Sequence, residues 1–356
     1  MKKFLTSIII VTAFIVTISC GGGKKSGGYE LALITDVGTI DDRSFNQGAW
    51  EGLTQYAQEK GISHKYYQPT QKTTDAYVDA IDLAVAAGAK LVVTPGFLFE
   101  PAVYRAQDTH PNVAFVLLDG TPQDGTYTDF RIETNVYSVL YAEEQAGFLA
   151  GYAAIKEGYT NLGVMAGMAV PAVIRFGYGF VQGANYAAKE MSSGSVKINY
   201  TYIGNFNATP ENQTLATSWY QSGVQVIFAP AGGAGNSVMS AAEQNNALAI
   251  GVDIDQSAES DTVITSAMKM LGESVYNAID DFYNGKFPGG KSVVLDAKVN
   301  GIGLPMKTSR FKKFTQADYD AIYQRLVSGE IKVLTDKDAK DVNQLPLDTV
   351  KVNFIQ

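Results

Sequence analysis

The chain repeats itself at a nearly constant interval, which narrows its possible folds more than any single motif. Phe45, Gly48 and Gly52 follow the pattern F-x-x-G-x-x-x-G, and Phe176, Gly179 and Gly183 repeat it 131 residues later. Ala87 to Pro95 (AGAKLVVTP) resembles Ser222 to Pro230 (SGVQVIFAP) at an offset of 135. Phe115 to Asp119 answers Ala249 to Asp253 at an offset of 134. Each motif is a helix or helix end, a glycine stop, or an apolar strand closed by proline or aspartate. The chain therefore reads as two related α/β halves, each a parallel sheet wrapped by helices. Leu31 to Asp36 opens the first unit as a buried strand, followed by a helix through Trp50 and Tyr56 to Gly61. Asn161 to Gly167 opens the second. The paired glycines are expected to let each helix approach its own sheet closely.

Strands alternating with helices imply parallel sheets, and such sheets bind ligands beyond the strand C-termini. Asp36, Pro95 with Gly96, and Asp119 end strands in the first half; Gly167, Pro230 with Gly232, and Asp253 do so in the second. If the two sheets face each other, these ends meet across one cleft. A helix from Tyr137 to Lys156 is expected to carry the chain between lobes. The helix Leu271 to Tyr283 returns it, and Lys291 to Leu304 crosses a third time, a hinge suited to closure around a ligand. The expected lobes are 29–138 with 269–300, and 139–268 with 301–356.

Ahead of this body, Lys2 and Lys3 precede an apolar stretch from Phe4 to Val16 that is short for a membrane span. Thr17, Ile18 and Ser19 then lead to Cys20, the only cysteine in the chain. Residues 1–19 read as an export signal and Cys20 as a lipid attachment point; an ordinary cleaved signal is the alternative. Residues 20–28, rich in glycine, read as a flexible tether. The remaining length favours two domains. A formal charge of −8, with no basic run, speaks against a nucleic acid partner.

Catalytic signals are thin. His64 and His110 stand beside no G-x-S-x-G pattern, and no cofactor or metal motif is evident. Asp41, Asp42 and Asp255 suit helix capping and turns. Asp36, Asp119 and Asp253 differ, because each ends an apolar strand. A carboxylate there can accept paired hydrogen bonds from a diol or a base edge. Phe45 and Phe206 occupy polar loops, one in each half. They either stack on a planar ligand or plug the interface between lobes. Lys269 either neutralises the carboxylates and donates to a sugar hydroxyl, or is a solvated surface lysine. The stretch Gly232 to Ser237 either offers backbone N–H groups to a ligand or is a plain strand-to-helix turn.

Asp36, Ile40 to Gln47 (IDDRSFNQ) and Trp50 to Gly52 resemble the basic membrane protein family of lipoproteins. So do Val170-Pro171, Arg175-Phe176, Gly179-Phe180, Gly251 to Gln256 (GVDIDQ) and Thr265-Ser266, in family order. The resemblance implies a type I periplasmic-binding-protein fold with two doubly wound lobes, acting as the non-enzymatic receptor of an ATP-driven importer. Its partners would be ABC permease and ATPase subunits, and its location a cell membrane, held there by lipid. One branch binds purine nucleosides, which implies Phe45 and Phe206 as rings clamping the base. Asp36, Asn46 and Asp119 would be polar contacts around it, and Gly232, Asp253 and Lys269 contacts to the ribose. Other branches bind riboflavin or sugar-like ligands, and an exported nucleoside-processing enzyme is the rival of a different class.

Overall fold

The computed structural model describes residues 28–355 apart from Val37; residues 1–27, on which the expected export signal, the expected lipid attachment at Cys20 and nearly all of the expected tether fall, lie outside the described residues. The first half runs β1 (Leu31–Ile34), α1 (Phe45–Lys60), β2 (His64–Tyr67), α2 (Thr74–Ala86), β3 (Leu91–Pro95), α3 (Glu100–Thr109), β4 (Ala114–Leu118) and β5 (Val136–Tyr141). After α4 (Glu143–Lys156), the second half runs β6 (Asn161–Ala166), α5 (Pro171–Glu190), β7 (Val196–Tyr202), α6 (Pro210–Gln221), β8 (Val226–Phe228), α7 (Gly235–Asn245), β9 (Leu248–Asp253) and β10 (Val263–Lys269). The chain closes with α8 (Leu271–Tyr283), β11 (Lys291–Leu295), β12 (Ile302–Gly303), α9 (Gln316–Val327) and β13 (Val350–Phe354).

The strands form two sheets, ordered β11-β5-β4-β3-β1-β2 and β12-β10-β9-β8-β6-β7-β13. Every pair is parallel except β10 with β12. Continuous apolar runs make the central strands: β1, β3, β4 and β8 are buried at every residue, as a sheet covered on both faces requires. The duplication extends to the backbone. Gly88 and Gly223 both take left-handed φ values (103° and 96°), and so do Asp119 and Asp253 (55° and 67°). Each glycine turns the chain out of a helix toward the next strand, where an L side chain would be strained.

Two expectations are corrected. The first is the helix from Tyr137. Residues up to Tyr141 instead form β5, paired between β4 and β11, so the lobe boundary expected at 138 falls inside a strand. Val136 to Tyr141 is rich in aromatic and β-branched residues and is buried or half-buried throughout, which suits a sheet. The second is what the paired glycines approach, which is another helix. A methyl added at Gly52 would overlap the Gly272 backbone of α8. In α5, Gly179 and Gly183 lie against the Glu144 and Phe148 carbonyls of α4, while Gly147 and Gly151 of α4 lie against those of Phe176 and Phe180. Reciprocal notches of this kind let two helix backbones pack closer than side chains allow.

The chain passes between lobes at Ala142, at Met270 and across Asp296–Gly301. These crossings are strapped together: the Ala142 N–H donates to Leu295 O, Met270 N–H to Gly301 O, and Ala297 N–H to the Gln145 side chain. Three short, mutually bonded crossings restrict the lobes to a hinge-like motion.

Candidate functional site

Strand register assembles the site. Pro95 pairs with Leu118, so Gly96 and Asp119 leave the first sheet at one level. Met268 pairs with Asp253, so Lys269 emerges beside the Asp253 carboxylate. The two sheet edges face a cavity of about 390 Å³, lined by Asp36, Phe45, Asn46, Asp119, Phe206, Gly232, Asp253 and Lys269. All eight sequence-derived candidates therefore meet in one place. His64 and His110 are not among its lining residues; His110 instead sits 2.6 Å from Asp82.

At the hinge end lies a buried charge cluster. Lys269 is 3% exposed, which rules out a solvated surface lysine. Its ammonium lies 2.6 Å from Asp119, 3.3 Å from Asp253 and 3.8 Å from Glu143, and 4.3 Å from the centre of the Phe45 ring. Burial alone would push the Lys269 pKa down, but Asp119, Asp253 and Glu143 together hold it above its ordinary value. Burial, aided by Glu143 and Asp253, pushes the Asp119 carboxyl up despite the adjacent lysine. Asp119 Oδ2 accepts from Lys269, while buried Oδ1 has no hydrogen-bond partner among the described residues. A buried acceptor left unpaired beside a cavity is suited to a ligand hydroxyl or N–H. Asp253 Oδ2 accepts a 2.6 Å bond from the Ser44 hydroxyl of the opposite lobe.

Glu143 was not a sequence-derived candidate. It is the residue after the first crossing, fully buried, and accepts a 2.6 Å bond from Arg175 Nε on α5. Arg175 in turn lies 3.5 Å from Asp336. Nothing local marks Glu143 in the sequence, because its partners lie on distant elements. Its position at a lobe crossing is the only signal.

At the other end, Asp36 Oδ1 accepts from Gly38 N–H (2.9 Å) and Asn46 Nδ2 (3.0 Å). Gly96 makes this approach possible: a Cβ there would lie 3.0 Å from Asp36 Oδ2, and its φ of 117° excludes most side chains. Burial pushes the Asp36 carboxyl up to about 6, against the pull of those two donors. Asn46 is 2% exposed and commits its amide N–H groups to Asp36 and Asp42, so its geometry orients Asp36. Asp42 accepts from the backbone of Ser44, Asn46 and Gln47 and caps α1, a role its sequence position suggested. Phe45 is the first residue of α1 rather than a loop residue. Phe206 covers Gly167 and Gly232; a methyl at Gly167 would run into its ring. Both rings are half-buried. They reach the cavity from opposite lobes.

Residues 29–337 match the family described as ABC transporter substrate-binding protein PnrA-like. The chain belongs to this family. It is 31% identical to the ABC transporter nucleoside-binding protein BmpA of Lactococcus lactis, over 88% of this chain and 94% of that protein. It is 26% identical to basic membrane protein A2 of Borrelia garinii, over 95% and 98% of the two chains. An ABC transporter solute-binding protein from Aeropyrum pernix superposes with a TM-score of 0.74 at 26% identity, covering 88% of this chain and 95% of that one. The chain is thus an ABC transporter substrate-binding protein of the Bmp family with a type I periplasmic-binding-protein fold. Among the described residues no helix is long and apolar enough to cross a membrane.

Proposed function

We propose that this receptor binds a purine nucleoside between its lobes and presents it, without catalysis, to the permease and ATPase of an importer. The observation that carries this reading is the pair of half-buried phenylalanines, one from each lobe, facing a cavity edged by carboxylates and one lysine. A flat, neutral base suits two ring faces, each stack contributing about 1–3 kcal/mol. Asp36, held by Asn46, would accept N–H bonds from the base edge, and Asp119 would accept from the ligand through its unpartnered oxygen. Asp253 and Lys269, beside the Gly232 turn, would take the ribose hydroxyls. A cavity of about 390 Å³ falls in the range expected for one small ligand, roughly 300–1,000 Å³. The nucleoside-binding name of the Lactococcus relative points the same way.

Ligand would enter the open form, engage both lobes, and hold closed the surface the permease reads. Cys20 would carry a lipid that anchors the receptor to the outer face of a cell membrane. Isothermal titration against inosine, guanosine, adenosine, ribose and riboflavin tests the ligand. Heat with purine nucleosides and none with ribose is expected; binding of ribose or riboflavin alone overturns the assignment. Palmitate labelling that is lost in Cys20→Ser tests the anchor.

A further inference from the structure

Gln256 does not line the cavity, yet it joins the two lobes beside it. Its side chain is 2% exposed. Its Oε1 accepts the Val252 N–H of β9 at 2.9 Å, and its backbone N–H donates to Ser266 Oγ of β10 at 3.1 Å. A Cβ at Gly251 would lie within 2.6 Å of both Gln256 Oε1 and Ser266 Oγ. The glycine thus lets the amide fold back over its own strand. The remaining end of the amide, Nε2, donates a 2.7 Å bond across the cleft to the Arg43 carbonyl.

Arg43 needs holding. Its φ of 57° lies in the left-handed region that a side chain disfavours. The second lobe also grips its guanidinium through Glu259 at 2.6 Å and the next residue through the Ser44–Asp253 bond. Phe45 follows directly. We propose that Gln256 is a positioning residue: fixed to β9, its amide holds Arg43 to Phe45 in the conformation that sets the Phe45 ring against the site. Its effect on nucleoside affinity rests on the receptor reading above, whereas the cross-lobe hold does not.

Gln256→Glu separates the two ends of this side chain. The carboxylate still accepts from Val252 N–H within its lobe but cannot donate to the Arg43 carbonyl. Amide hydrogen exchange of peptides covering residues 38–47, in ligand-free and in inosine-saturated protein, reads the hold directly. Titration of the full chain with inosine reads its consequence. For a lost interlobe hydrogen bond we expect exchange to quicken severalfold and inosine affinity to fall about tenfold, with thermal melting within a few degrees of wild type. Exchange unchanged in the folded variant overturns the proposal, as does faster exchange with unchanged inosine affinity. If Gln256→Glu does not fold, Gln256→Met, which keeps the bulk but removes the amide, is the second variant, and unchanged exchange there overturns it equally. Should wild type bind no inosine, the nucleoside reading fails by itself, and the exchange result decides the role of Gln256.

Discussion

Lys269 carries the largest electrostatic burden of any residue at the site. Replacing it with methionine keeps the bulk but leaves Asp119, Asp253 and Glu143 buried without their cation. Stranding buried charges this way costs about 3–5 kcal/mol. Urea unfolding of Lys269→Met at neutral pH should show that loss, with part recovered in acid as the carboxylates take up protons. Asp36 gives a prediction of its own. Its folded pKa of about 6 lies above the ordinary value of 3.8, so the native state keeps a proton the unfolded chain has released. The stability this group contributes is therefore present below about pH 4 and is lost as pH climbs through about 6. Asp36→Asn should flatten that decline in unfolding measurements between pH 4 and 7. The same proton blocks the acceptor, so inosine affinity of the wild type should fall below about pH 6, and titrations at pH 5 and 7.5 check it. Asp36, Asp119 and Asp253 were legible because a carboxylate ending an apolar strand has no structural reason to be there. Ser44 and Glu143 were not, since their partners lie 209 and 32 residues away.

At the level of elements, the repeated glycines are expected to fail in two distinguishable ways. Gly179→Ala would drive a methyl into the Glu144 carbonyl and force α4 from α5. Overpacking of that kind costs about 1–3 kcal/mol, read as a drop in melting temperature. Gly167→Ala would instead push the Phe206 ring off its seat toward the cavity. It should weaken inosine binding about tenfold, the order of one lost stack, while the melting temperature moves little. Opposite outcomes for the two variants would mean that Phe206 is an interface plug. The duplicated strands and helices were readable because each half repeats the same apolar runs and glycine stops. What those glycines touch was not readable, because F-x-x-G-x-x-x-G fixes a smooth helix face but not the element laid against it. Tyr137 to Tyr141 was misread for a related reason. A short apolar run before a helix suits continuation of that helix as well as a strand, and pairing with β11, about 150 residues later, decides for the strand.

The whole molecule brings two distant halves to one ligand, and a double-mutant cycle can measure that. Phe45 enters from α1 of one lobe and Phe206 from the loop after β7 of the other, so the lobes must close for both rings to touch one base. Phe45→Ala and Phe206→Ala should each weaken inosine binding by about 1–3 kcal/mol. If the rings act on a rigid surface, the double variant loses the sum. If they act through closure, losing either ring already lets the lobes part and devalues the other, so the double variant loses less than the sum, by about 0.5–3 kcal/mol. The fold argues for the second outcome. Three crossings strapped to one another define a single hinge, and the links from Ser44 and Gln256 across the cleft exist only while the lobes stay together. Titration of the four proteins with inosine checks this, and strictly additive losses would mean that the two rings meet the ligand independently.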